Sequence, residues 1–161
     1  MAIDIFLKID GIEGESTDDR HSKEIAIVSY AWGEEARLAP TGGGGAGAGK
    51  VVMQDFHFSM QVNIASPRLF LACAKGERFN NAVLTVRHAG ASPTDFLRWR
   101  FTDVLISRYQ TSGNVASESL PVDDASLKFS KVELEYSPVM PDGALGTPVH
   151  AGWDIRTNRA F

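Results

Sequence analysis

The chain has 161 residues, of which 43% are hydrophobic and 22% charged, with a formal net charge of -4 and one cysteine, Cys73. That is the size and composition of a single domain, 1–161, able to bury a core without metal or disulfide. Basic residues scattered among a slight excess of acids exclude a nucleic-acid module, and no stretch approaches the ~20 apolar residues of a bilayer span, so no membrane insertion is expected.

Period-two alternation opens the chain. Ile3, Ile5, Leu7 and Ile9 share a face opposed by Asp4, Lys8 and Asp10, as in a half-buried strand. The opening MAIDIFLKIDG has neither a basic leader nor a continuous apolar core. No cleavable signal peptide is expected, and the chain reads as soluble and made in a reducing cytoplasm. Residues 11–22, GIEGESTDDRHS, read as a solvated loop. KEIAIVSYAWG, 23–33, reads as a second strand, apolar on both faces along much of its length, with one side buried and the other turned to a partner surface or a lumen.

The next stretch, TGGGGAGAGK (41–50), satisfies from Gly44 onward the first seven positions of the phosphate-binding pattern G-x-x-x-x-G-K-[ST]. Such a loop needs a strand before it, a helix after it and a hydroxyl at the eighth position. Here the eighth residue is Val51, the preceding EEARLAPT is polar and proline-broken, and the following VVMQDFHFSMQVNI alternates with period two. The overlapping G-x-G-x-x-G of Gly42, Gly44 and Gly47 fails for the same reason. The segment therefore reads as a long connection between strands, with no bound nucleotide or other cofactor, and a connection of that length usually carries function.

After it, Val52, Phe56, Phe58, Met60, Val62 and Ile64 form one strand face, and Asp55, His57, Ser59, Gln61 and Asn63 the other. SPRLFLACAKGE predicts a short helix over 66–76, with Ser66 as N-cap, Pro67 at the first turn and Gly76 closing the end. Leu69 and Cys73 share its inward face. Alternation resumes in 81–90, in 95–111 with Leu97, Trp99 and Phe101 opposed to Arg98, Arg100 and Thr102, and in VHAGWDIRTN near the end. In ASLKFSKVELEYSP the apolar parity shifts near Ser130, the mark of a bulge or bend. The predicted fold class is mainly β: an antiparallel β-barrel or two-sheet sandwich with one short helix.

The remaining candidates for chemistry are weak. His21, His57, His88 and His150 are far apart in sequence and read as solvent-facing; Asp55 and His57 form a D-x-H pair better explained as a polar outer strand face. Cys73 reads as a small core residue, and Trp32, Trp99 and Trp153 as core fillers, Trp32 beside Gly33 also as an interfacial residue. Nothing assembles nucleophile, base and orienter, so no catalytic, cofactor or metal residue is assigned and the residues favour a binding or structural role over an enzyme.

The segments IDIFLKIDGIEGES, HSKEIAIVSYAWG, GGGGAGAGKVVMQDFHFSMQV, SPRLFLACAKGE, AVLTVRHAG, FTDVLISRYQTSG, LKFSKVELEYSP and GWDIRTN, in this order and across essentially the whole chain, strongly resemble the Hcp family, the tube proteins of the bacterial type VI secretion system. The resemblance implies a β-barrel with one flanking helix, phage-tail-tube-like, that assembles with itself as a homohexameric ring. Rings stack head to tail into a hollow tube inside contractile sheath proteins, capped by a VgrG spike, and are ejected from the cell without a signal peptide. They also carry small secreted effectors in the lumen. Ending at Phe161 without a further domain, the sequence resembles the plain tube subunit. By this resemblance Ala39, Pro40, Thr41, Gly42, Gly43, Gly44, Gly45, Ala46, Gly47, Ala48, Gly49 and Lys50 are assigned to the ring-stacking contact, and Ser29 and Ala31 are lumen-facing candidates. The strand edges that such a chain leaves free are paired when neighbours close a ring. The competing readings are a stand-alone β-barrel that binds a small ligand, which would be monomeric, and a hydrolase, which lacks a catalytic constellation.

Overall fold

The computed structural model describes residues 2–37 and 50–161. Strand β1 (Ile3–Ile9) buries Leu7 and Ile9 as its alternation demands, and also Phe6 from its other face, because residues 10–24 fold back over that side. The 23–33 segment is not one strand. It divides into β2 (Ile25–Ala26) and β3 (Ser29–Ala31), followed by β4 (Glu34–Ala36). The break is a change of partner: Ile27 N donates to Ile5 O at 2.9 Å, whereas Val28 N donates to Ser59 O at 2.8 Å. Between these two residues the backbone passes from one half of the fold to the other.

Further along lie β5 (Val51–Met53), β6 (Phe56–Gln61), helix α1 (Ala65–Lys75), β7 (Arg78–His88), β8 (Thr94–Ser112), β9 (Val122–Lys128), β10 (Lys131–Tyr136), β11 (Val149–Asp154) and β12 (Arg159–Ala160). β8, at 19 residues, is several times the usual strand length. Its first half pairs with β7 and β10 and its second half with β9. Asp103 marks the bend with φ 56, and its carboxylate accepts from Arg78 Nη1 at 3.1 and 3.2 Å and from Arg156. The parity shift near Ser130 is present as the gap between β9 and β10, where Ser130 N donates to Thr102 O at 3.0 Å.

The main sheet runs β12-β11-β10-β8-β7-β1-β2, with β9, β6 and β3 joined to it through β8, while β4 and β5 form a separate two-stranded ribbon. The ladder does not close into a barrel; of the two forms expected, the sheet folded over itself as a sandwich is the one found. Its inner layer is continuous: Phe56, Met60, Leu7, Leu84, Val104 and Leu127 are fully buried, and the Phe101 ring lies tilted 4.7 Å from Phe56 and 4.9 Å from Phe129. Each such side chain contributes roughly 1.5–3 kcal/mol of burial. On the predicted β6 face, however, Val62 and Ile64 stay exposed because the strand that buries Phe56, Phe58 and Met60 stops at Gln61, and Val52 is exposed because it belongs to β5, where Val51 and Met53 take the more buried side.

Helix α1 is the helix found among the described residues, and it starts one residue before the predicted 66–76. Ser66 is not its N-cap. Ser66 lies buried inside the first turn, where its hydroxyl accepts from Asn63 N at 3.0 Å while Asn63 Oδ1 accepts from Ala65 N at 2.8 Å, a reciprocal capping arrangement. Gly76 ends the helix as predicted, at φ 64, with its N–H on Cys73 O and Glu77 N on Ala72 O. Leu69 and Ala72 face inward; Cys73 is only partly buried, at the rim of the core.

Candidate functional site

Four strands present one outward polar face. β3, β6, β9 and the second half of β8 lie side by side, and their registers align two cross-strand rows. One runs Ser29, Ser59, Asp124, Gln110; the other runs Ala31, His57, Ser126, Arg108. Alternation puts these side chains opposite Phe56, Phe58, Ala125 and Leu127, which are buried. All of the row residues except the buried Ser126 border a shallow hollow of about 400 Å³. Hydroxyls and amides fix its floor. Ser29 Oγ and Ser59 Oγ share a hydrogen bond of 2.6 Å, Ser126 Oγ lies 2.5 Å from His57 Nδ1, and Arg108 Nη2 donates to Gln110 Oε1 at 2.5 Å.

This face can hydrogen-bond a polar surface laid against it. The hydroxyl of Ser126 touches an imidazole, as a nucleophile would, but Ser126 is buried, and among the described residues no carboxylate orients the other nitrogen of His57. Asp55 is engaged elsewhere, accepting from Ser107 Oγ at 2.7 Å, so the D-x-H pair does not act as a unit. Among the described residues no three His, Cys, Asp or Glu side chains come close enough to hold a metal ion.

A family model described as "Type VI secretion system effector, Hcp" matches residues 6–136. The chain belongs to the Hcp family. A relative, the Hcp1 protein of Pseudomonas aeruginosa, is 38% identical over 160 residues, covering 98% of each chain. A solved structure described as a type six secretion system protein aligns with TM-score 0.93 at 30% identity, over 99% of this chain and 100% of the other. Hcp1 from Salmonella typhimurium aligns with TM-score 0.80 at 34% identity, over the full length of both chains.

In this Hcp chain the two lumen-facing candidates, Ser29 and Ala31, are both exposed and both border the polar hollow. Of the segment assigned to stacking, Ala39, Pro40, Thr41, Gly42, Gly43, Gly44, Gly45, Ala46, Gly47, Ala48 and Gly49 lie outside the described residues, and Lys50 is exposed where β5 begins. A strand, not a helix, follows Lys50, so the second half of a phosphate-loop context is absent there. Arg108, Gln110, Asp124 and Ser126 were missed as members of the polar face. The bend at Asp103 turns the even residues Val104 and Ile106 inward and the register shift between Ile106 and Arg108 turns the even positions out again, a double change of parity that apolar spacing does not show, and the acids at 123 and 124 mask the alternation of 122–126.

The histidines divide differently from expectation. His57 and His150 are exposed, and His88 stacks on Phe96 at 4.2 Å. His21 is buried. Its Nδ1 lies 2.9 Å from Glu24 Oε2, its Nε2 lies 3.2 Å from Asp95 Oδ1, and its ring stacks on Phe6 at 4.4 Å. This site pins a loop whose composition reads as solvated. Trp99 is likewise only partly buried, 5.3 Å from Trp32 and 6.5 Å from Phe56, at the wall of a groove rather than inside the core.

Proposed function

We propose that the chain is a structural tube subunit of the type VI secretion system. It forms six-membered rings that stack head to tail, leaves the cytoplasm through the apparatus, and works with a VgrG spike and contractile sheath proteins. It performs no chemical step. In the ring, the face carrying Ser29 and Ala31 lines the lumen, where it holds small secreted effectors through hydroxyl, amide and charged groups. Residues 39–50 form the stacking contact between rings.

The observation that carries this reading is family membership over nearly the whole chain, with full-length relatives and structures aligned end to end. The fold supports it in kind. Among the described residues β12 and β2 end the main sheet and β3 ends its branch, and such edges are natural sites for joining a neighbour. Native mass spectrometry of the purified protein at micromolar concentration is expected to show six subunits. A monodisperse monomer would instead favour the stand-alone ligand carrier.

A further inference from the structure

Two apolar surfaces lie at opposite ends of β8. The first is a groove of about 640 Å³ on its first half, between the β4–β5 ribbon and the sheet, walled by Trp32, Met53, Trp99, Leu134, Ala151 and Trp153. Glu34 is the one charged side chain among its described lining residues, and Glu35 beside it is exposed. The second is a ridge on α1, which packs against the second half of β8 through Phe70 and Tyr109. There Ile64, Phe70 and Leu71 are 56%, 60% and 38% exposed. The only charges on α1 are Arg68 and Lys75, both positive.

A groove that needs an apolar occupant and a ridge that needs cover cannot meet within one subunit when they sit at opposite ends of the longest strand. Contiguous exposed apolar surface of this kind marks an interaction site. Groove and ridge match in chemistry, and the acidic rim of Glu34 and Glu35 matches Lys75 on the helix, whose other cation, Arg68, is already paired with Glu77 at 3.5 Å. Different surfaces at the two ends of a subunit are what a head-to-tail contact requires. We propose that the occupant of the groove is a second copy of this chain, the α1 ridge of one subunit entering the Trp99–Trp153 groove of the next. This rests on the ring-forming reading and names the surfaces that close the ring.

The test uses two exposed positions, so that the subunit keeps its fold. Phe70→Glu spoils the ridge and Ala151→Arg spoils the groove. Each variant alone is expected to keep the wild-type far-ultraviolet circular dichroism yet to run as a monomer under conditions where the wild type is a ring. Mixed in equal amounts, one variant supplies the intact groove and the other the intact ridge. Cross-linking and native mass spectrometry are then expected to find a mixed dimer and nothing larger. A second pair, Leu71→Glu with Ala160→Arg, guards against a local fault in either variant. Rings formed by either single variant, or a mixture without mixed dimer, would overturn the ridge-and-groove contact. A monomeric wild type would overturn the ring reading itself.

Discussion

Trp99 and Phe101 stand two residues apart on β8 and project to one face, as the alternation of 95–111 indicates. Their surroundings differ. Phe101 is 1% exposed and is packed between Phe56 and Phe129, whereas Trp99 borders the open groove. Phe101→Ala is expected to cost about 3–5 kcal/mol and Trp99→Ala less, on the order of 2 kcal/mol, because the tryptophan has less burial to lose. Denaturant midpoints of the two substitutions, each made in the monomeric Phe70→Glu background so that no neighbouring subunit fills the groove, decide this; an equal loss would mean that the subunit's own chain closes the groove around Trp99. Here the sequence tells which way a side chain points but not how deep the layer over it is. Depth depends on whether another element arrives, and among the described residues Trp32 and the short β4–β5 ribbon lie over Trp99.

At the scale of elements, the loop 10–24 shows the same gap between composition and context. Its acids, glycines and hydroxyls describe a solvated connection, yet Asp18 binds it to β7 by accepting from Arg87 Nη1 at 3.0 Å, with a second, shorter contact to Nη2. Asp18 Oδ1 also accepts from Arg20 N and His21 N at 3.0 and 3.1 Å. The bond from Arg87, opposed by burial and helped by those two backbone donors, lowers the Asp18 pKa from 3.8 to about 2. A carboxyl held below its unfolded value stabilises the fold above pH 3.8, and that contribution is lost as pH falls toward 2. Asp18→Asn is therefore expected to lower the melting temperature at neutral pH and to remove this part of the acid-induced loss, so that the two curves converge at low pH. Parallel curves across that window would show that what Asp18 contributes does not depend on its charge. Other element-level features were legible because they are local: Gly76 ends α1 by its own left-handed geometry, and the shift near Ser130 lies in the apolar pattern itself. The division of 23–33 was not legible, since it is set by which strand, β1 or β6, lies opposite.

For the whole molecule, the ring and the stack are separable, and the glycine segment distinguishes them. Six glycines between Thr41 and Lys50 give that stretch wide backbone freedom in the unfolded chain, and fixing it in an assembly costs about 1–2 kcal/mol of entropy per residue. Such a cost is offset only by contacts that the assembled state supplies. Its flanks need nothing from it: Ala36 pairs with Val51 and Glu34 with Met53 across the β4–β5 ribbon. With Gly42 to Ala48 deleted, Arg37 to Thr41 and Gly49 to Lys50 remain to bridge Ala36 and Val51, ample for a hairpin connection. The ribbon and the groove that it walls are then preserved, and with them the ridge-and-groove contact. The deletion variant is expected to elute as a ring of wild-type size, to form no tubes, and to be lost from the medium of cells with a working apparatus. A monomeric deletion variant would place 39–50 in the lateral contact between subunits, and normal secretion would remove the segment from stacking altogether.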